Sequence, residues 1–179
     1  MVLASLNVFL LEQLRVLYAA EQQIAKSLPK LIEGVASSEL KSLLSQHLAD
    51  TEQHIHRLDQ VAKQLHEKLS GARCRFVEHL LKEAVELTDR RGDERVIDAE
   101  IIALVRCIEG FEQSGYEIAR SLCEVLDEKE VLKLISATLL DENRTEQSLT
   151  VLFEDLIDSV HEGLKGRPSL GLEESSVGG

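Results

Sequence analysis

Apolar residues recur every three or four positions through four long stretches of this chain, and acidic or imidazole side chains interrupt each stretch near its middle. This period is typical of a helical face that is buried against other helices. In the first stretch, Glu21 stands between Leu17 and Ile24, where a leucine is expected. A buried ionised carboxylate costs several kcal/mol unless it is paired or bound to a metal. The pattern therefore predicts a helical core that carries a polar layer.

The interrupting residues share two properties. Each lies within the apolar face of its predicted helix or at the edge of that face, and most lie within about one turn of the helix midpoint. Antiparallel packing of four similar helices would bring the midpoints to one height, so these side chains are predicted to converge. The predicted metal ligands are Glu21, His47, Asp50, His54, Glu109, Glu112, Glu142 and Glu146.

Carboxylates combined with imidazole suit iron or manganese in a two-metal site, whereas magnesium keeps more water and zinc prefers a closed tetrahedron. A single core glutamate or histidine more often forms only a hydrogen bond, and that alternative stays open for each residue taken alone. Their coincidence at one level favours a site for two iron ions, with manganese as the alternative. Tyr18 and Tyr116 lie within a turn of Glu21 and Glu112 and are predicted catalytic residues, as hydrogen-bond or electron donors. Simple packing with a satisfied hydroxyl is the alternative for both tyrosines.

Breaks in the apolar period divide the chain into four long helices, with a short amphipathic helix between the second and the third. Ser37 is predicted to cap the second helix, and Pro29 is expected to kink the last turns of the first. The predicted helices are 5–33, 38–69, 76–87, 95–126 and 128–161. A long second connection is typical of ferritin-like bundles, so the predicted fold is an all-α ferritin-like four-helix bundle whose crossover carries the short helix. The bundle is predicted over residues 1–163, followed by a disordered tail at 164–179.

Composition excludes several classes of function. The formal net charge of −12 would repel a phosphate backbone, so we expect no nucleic-acid partner. No apolar run approaches the roughly 20 residues that span a bilayer, and no basic region precedes the apolar N-terminal stretch. The three cysteines form no CxxC pair, which is typical of reduced thiols. We therefore expect a cytoplasmic protein without a membrane partner.

Several stretches of the chain resemble the YciE/YciF ferritin-like family. They are Leu17–Ile24, His47–Thr51, Ile55–Leu58, Ile108–Glu112, Gly115–Tyr116 and Thr138–Glu142. The resemblance covers about residues 5 to 160, and the family has a glutamate where this chain has Asp50. The resemblance implies a bacterial, cytosolic, stress-associated protein that forms a homodimer and holds a di-iron centre with ferroxidase-type activity.

Three functions are compatible with the sequence. The first is oxidation of Fe(II) by O2 or peroxide at a di-metal carboxylate centre, in a stress response. The second is a di-manganese or di-iron enzyme that consumes peroxide, because manganese accepts the same ligands. The third is a non-catalytic structural or interaction protein whose acidic core shares protons and holds no metal.

Overall fold

The computed structural model describes residues 5–165, which fold into five α-helices without a strand in that range. Four long helices form the bundle, and a short one lies in the crossover. They are α1 (Leu6–Gly34), α2 (Ser38–Gln64), α3 (Arg75–Leu87), α4 (Glu94–Val125) and α5 (Lys129–Lys165). This architecture confirms the predicted all-α ferritin-like bundle. Pro29 lies inside α1, which continues beyond it to Gly34.

The helix ends follow local chemistry. The side chain of Ser37 accepts a hydrogen bond from the Leu40 amide, which confirms the predicted cap of α2. The predicted end of α2 at residue 69 is wrong, because the helix stops at Gln64 and His66 adopts a left-handed conformation with φ of 54°. α5 extends to Lys165, two residues into the predicted tail, and the rest of that tail (166–179) lies outside the described residues.

The crossover between α2 and α4 leads the chain back along the bundle, from the end of the first pair of helices to the start of the second. α1 and α5 each pack against both α2 and α4, while α3 packs against α1 and α4. Asp98, near the start of α4, accepts hydrogen bonds from the amides of Ala36 (3.1 Å) and Ser37 (2.7 Å), which precede α2. α2 and α4 therefore begin at the same end of the bundle and run parallel. α3 lies in the connection that returns the chain along the length of the bundle.

A polar layer divides the apolar core into two clusters. On α1, Leu17 belongs to one cluster and Ile24 to the other, with Glu21 buried between them. The same order occurs on the other long helices, so the layer crosses the whole bundle. The buried polar residues between the two clusters are Glu21, His47, Thr51, His54, Glu109, Glu112, Thr138, Asp141, Glu142 and Thr145.

α1 and α4 approach each other closely beside this layer. A Cβ atom on Gly115 would lie 2.7 Å from Cδ2 of Leu17, so only glycine fits there without a shift of the leucine. The next residue, Tyr116, is fully buried. The close approach thus brings the tyrosine of α4 to the acidic residues of α1.

Two further expectations bear on the class of protein. Within residues 5–165, no helix has the length and apolar character needed to cross a membrane. The cysteines are all free: Cys74 and Cys123 are buried, and Cys107 is exposed. Burial raises the pKa of the Cys123 thiol to about 11, so this thiol stays protonated and unreactive at neutral pH.

Candidate metal centre

One group of possible ligands joins α1, α2 and α5. Nδ1 of His54 lies 3.2 Å from Oε1 of Glu21 and 3.0 Å from Oε1 of Glu142. All three side chains are at most 1% exposed. Each lies in the apolar face of its helix, where the three- and four-residue period directs it to the bundle axis. One donor atom of each residue lies within 4.8 Å of the other two, close enough to share one ion.

A second group joins α4 to α5. The carboxylates of Glu109 and Glu112, one turn apart on α4, come within 4.8 Å of each other and of Glu142. His47 of α2 adds a neighbouring imidazole, whose Nε2 lies 3.1 Å from Oε1 of Glu109. Glu142 belongs to both groups, so its carboxylate stands between two possible ion positions. We call the six residues Glu21, His47, His54, Glu109, Glu112 and Glu142 the acid–imidazole cluster.

Most donor atoms of the acid–imidazole cluster lack a hydrogen-bond partner in the described part of the chain. Both oxygens of Glu109, Glu112 and Glu142 are buried without a hydrogen bond among the described residues. The same holds for Oε2 of Glu21, Nδ1 of His47 and both ring nitrogens of His54, whose short contacts with carboxylates do not form hydrogen bonds. No lysine or arginine in residues 5–163 forms an ion pair with these glutamates. Buried polar atoms normally find a partner, so this set of oxygen and imidazole donors fits divalent cations of the iron and manganese type.

Burial controls the protonation of the glutamates. Burial raises the pKa of Glu109 well above its ordinary value, and the negative charge of Glu142 raises it further. Burial, then the charges of Glu21 and Glu142, likewise raise the pKa of Glu112. For Glu21, burial outweighs the opposing effect of His54 and brings the pKa to about 7. Without a metal the cluster therefore holds protons, which a cation must displace.

The two histidines differ in charge. Burial opposes protonation of His54, but the adjacent carboxylates of Glu142 and Glu21 outweigh it and raise the pKa to about 10. Burial lowers the pKa of His47, so this imidazole is neutral at pH 7. In the metal-free protein, His54 is thus a cation that balances part of the acidic charge.

The two tyrosines occupy different environments. The hydroxyl of Tyr116 donates a hydrogen bond of 2.5 Å to Oε1 of Glu21, and burial, with the charge of Glu21, raises its pKa well above 10. Tyr18 is only partly buried, and its hydroxyl donates to Oδ1 of Asp59 at 2.9 Å. The structure therefore brings Tyr116 into contact with the cluster and leaves Tyr18 outside it.

Comparison with known proteins identifies the family. A family model described as a domain of unknown function, DUF892, matches residues 5–161. The chain belongs to the DUF892 family. Protein YciF of Escherichia coli (strain K12) is 32% identical over 136 residues, which cover 75% of this chain and 82% of that protein. The resemblance to the YciE/YciF family is thus confirmed.

Solved structures share the DUF892 fold. The crystal structure of the E. coli stress protein YciF matches with a TM-score of 0.82 and 28% identity, over 87% of this chain and 99% of that chain. YcfI from Rhodopseudomonas palustris matches with a TM-score of 0.77 and 35% identity, over 82% and 94% of the two chains. The description of YcfI proposes a structural role.

Two predicted ligands of this DUF892 chain lie beside the cluster and outside it. Asp50 is partly exposed at the edge of α2 and accepts a hydrogen bond from Gln46 at 3.1 Å. Glu146 was expected at the centre of the core, which is wrong: its side chain is 29% exposed and pairs with Arg106 at 2.8 Å. Hydrogen bonds from Arg106 and Thr150 lower the pKa of Glu146, so it is an ionised surface carboxylate.

The buried face of α5 explains this error. The stripe that enters the core runs through Ile135, Thr138, Glu142, Thr145 and Leu149, whereas the sequence suggested Leu139 and Glu146. Threonine does not stand out as apolar, yet it fits the interior because its hydroxyl can bond to the helix backbone. Thr145 does so with the carbonyl of Asp141 at 3.3 Å.

Asp141 is a site residue that the sequence analysis missed. It is 7% exposed, and its Oδ2 lies 3.6 Å from Nε2 of His54, on the opposite side of the ring from Glu21 and Glu142. Arg57 donates to the same oxygen at 2.6 Å, and Arg144 contacts the other oxygen. Burial favours the neutral acid, but the hydrogen bonds from Arg57 and Arg144 outweigh it and lower the pKa of Asp141. In the sequence, its position directly before the predicted ligand Glu142 was the signal that could have identified Asp141.

Proposed function

We propose that this DUF892 protein is a di-metal carboxylate protein that binds two iron ions in the acid–imidazole cluster and oxidises Fe(II) with O2 or peroxide. One observation carries the proposal: two groups of fully buried donors share Glu142, and their carboxylate oxygens, apart from Oε1 of Glu21, lack partners in the described part of the chain. A helical protein that needed only an apolar core would be more stable with leucine at these positions. The stress association of YciF supports a role in a stress response.

The charges of the cluster support two divalent ions. The two groups contain four glutamates, Glu21, Glu109, Glu112 and Glu142, and two divalent cations would carry the four balancing positive charges. Binding would displace the protons that the buried acids hold, and it would leave His54 neutral. Glu142 would contact both ions, while Glu21 with His54 and Glu109 with Glu112 would each hold one. His47 would complete the second position beside Glu109.

Two bound Fe(II) ions would each supply one electron, so that with two protons one peroxide is reduced to two waters, or one O2 to peroxide. The residues of the chain supply the geometry. Tyr116 donates a 2.5 Å hydrogen bond to Oε1 of Glu21, the oxygen that lies 3.2 Å from Nδ1 of His54, and Oε2 of Glu21 is buried without a partner among the described residues. The raised pKa of Tyr116 keeps its hydroxyl protonated at neutral pH, so it holds Glu21 in place. The apolar clusters on both sides exclude bulk water, which strengthens the electrostatic interactions inside.

Two other functions are also compatible with the site. Manganese accepts the same donors, and a di-manganese or di-iron centre of this kind would consume peroxide. A structural role without catalysis is favoured by the description of YcfI and by the raised pKa values of the glutamates, which allow a protonated, metal-free core. We further propose a homodimer, on the family resemblance alone, which light scattering in solution would test.

The deciding experiment measures the metal content per chain after anaerobic loading with Fe(II) or Mn(II). The consumption of O2 and of peroxide by the loaded protein is then measured. Glu142→Gln removes the shared carboxylate, and Glu21→Gln removes a ligand of one group only. Glu117→Gln, on the exposed side of α4, is the matched control.

We expect about two ions per chain in the wild type and in the control, a loss of roughly one in Glu21→Gln, and a loss of most metal in Glu142→Gln. Oxidant consumption with Fe(II) but not Mn(II) supports the ferroxidase, and peroxide consumption with Mn(II) supports the alternative enzyme. A wild type that binds neither metal and stays fully folded refutes the proposal in favour of the structural role.

A further inference from the structure

A pocket of about 250 Å³ opens between α2 and α5, beside the acid–imidazole cluster. Its lining includes the exposed residues Gln46, Arg144 and Ser148 and the buried residues Thr145 and His47. The other described pockets are not lined by any residue of the cluster. This pocket therefore brings solvent-accessible space up to a residue of the cluster.

His47 connects the pocket to the cluster. Its side chain is 2% exposed and lines the pocket, while its Nε2 lies 3.1 Å from Oε1 of Glu109. The other ring nitrogen, Nδ1, is buried and makes no hydrogen bond with the described residues. An imidazole with an unpartnered nitrogen, positioned between a solvent pocket and an unpartnered carboxylate, is a suitable intermediate ligand for a divalent cation.

Asp50 gives the pocket its charge. It is the only carboxylate among the lining residues and lies one turn along α2 from His47. Gln46 donates to one of its oxygens at 3.1 Å, which holds the side chain at the rim. The single arginine of the rim, Arg144, contacts Asp141, which also accepts a hydrogen bond from Arg57, so that carboxylate offsets the charge of Arg144 only in part. Asp50 supplies the carboxylate that can attract a hydrated cation at the mouth of the pocket.

We propose that this pocket is the entry route for divalent cations: Asp50 collects the ion at the rim, and His47 passes it to Glu109. The route rests on the proposed metal site. It gives Asp50 a role in the rate of metal uptake and none in the final occupancy. This explains how a carboxylate that lies outside the cluster can serve it.

The test measures the rate at which metal-free, full-length protein takes up Co(II). After rapid mixing, the visible absorption of the bound ion reports the uptake. Asp50→Asn removes the charge at the rim. Glu52→Gln, which removes one exposed charge from the same helix outside the pocket, is its control. Ser148→Trp fills the mouth, and Ser45→Trp is its control, because both serines are exposed and bond to the carbonyl four residues earlier.

We expect Asp50→Asn to slow uptake roughly three- to tenfold at low salt, with a smaller effect at high salt because charge attraction is screened. Ser148→Trp should slow uptake at least about tenfold at every salt concentration, because it blocks the path physically. Both variants should reach the wild-type amount of bound Co(II) and keep the wild-type melting temperature.

The outcomes separate the route from the metal site. If the wild type reaches full occupancy and both variants load as fast as their controls, the route is refuted while the metal site stands. Equal slowing in Glu52→Gln would also count against the route, since the effect would then reflect overall charge. A wild type that binds no Co(II), Fe(II) or Mn(II) refutes the metal site and the route together.

Discussion

Replacing Glu112 with methionine should stabilise the metal-free protein. Glu112 is fully buried, neither of its oxygens has a partner among the described residues, and burial raises its pKa well above the ordinary value. Methionine keeps an unbranched side chain of similar length, so it fills the same space without the polar atoms. An unmade hydrogen bond on a buried group costs about 1–3 kcal/mol, and replacing buried charged groups with apolar ones often stabilises by about 1–4 kcal/mol.

The two oxygens of Glu112 thus give an expected gain of about 2–4 kcal/mol in the free energy of unfolding. For a domain of this size, that corresponds to a rise of roughly 5–15 °C in Tm. Thermal unfolding of the chelator-treated protein, followed by circular dichroism, measures it. Glu117→Met on the exposed side of the same helix is the control and should change stability by less than about 0.5 kcal/mol.

Metal should remove most of the stability advantage of Glu112→Met. An ion at about 100 times its Kd stabilises the folded state by about 2.7 kcal/mol, and Glu112→Met removes a ligand of one of the two positions. The advantage of the variant should therefore shrink by about that amount when Fe(II) or Mn(II) is added. A variant that is less stable than the wild type without metal would show that Glu112 has a structural partner. Equal stabilisation of both proteins by metal would show that it is not a ligand.

Three further predictions concern single residues. Because the pKa of Glu21 rises from 4.5 to about 7 on folding, its contribution is complete below pH 4.5 and is lost as pH rises through 7. In urea unfolding between pH 4.5 and 7, the free energy of unfolding of the metal-free wild type should therefore fall by about 3 kcal/mol more than that of Glu21→Gln, because the other buried glutamates lower it in both proteins. Asp98→Ala leaves two backbone amides without an acceptor and should cost about 2–4 kcal/mol in urea unfolding; a loss below about 1 kcal/mol would contradict this role. Asp141→Asn should weaken metal binding about 10–100-fold in chelator competition, because Asp141 faces the ring nitrogen of His54 that points away from the cluster. The exposed control Asp158→Asn should leave metal binding unchanged.

Helical period and composition were sufficient to predict most of the fold. The ends of α1, α3 and α4 lie within about one residue of their predicted positions, because Gly34 marks the end of α1 and a charged loop separates α3 from α4. α2 was predicted too long because Leu65 and Leu69 continue the apolar period past its end. No glycine marks the left-handed turn at His66, so the sequence contained no strong stop signal.

Prediction of the candidate site depended on how central each residue is in its apolar face. Glu21, His54, Glu112 and Glu142 lie in the middle of their stripes, where small rotations of the helix leave them buried. Asp50 lies at an edge, where the packing of neighbouring helices decides its position. On α5, Glu146 and Thr145 lie on either side of the core direction. Glu146 turns outward and pairs with Arg106 of α4, and a single sequence does not reveal that contact between helices.

The division of the core into two apolar clusters has a consequence for the lifetime of the chain. Each cluster is completed by its own leucines and isoleucines, whereas under the proposed function the layer between them would be completed by ions that come from outside the protein. Proteases cut chains that have opened, and the fraction of open chains rises when no ion closes the layer. A cell poor in iron or manganese would therefore degrade this protein faster than a cell that is rich in them. The number of copies would follow the supply of the metal without any change in the synthesis of the protein.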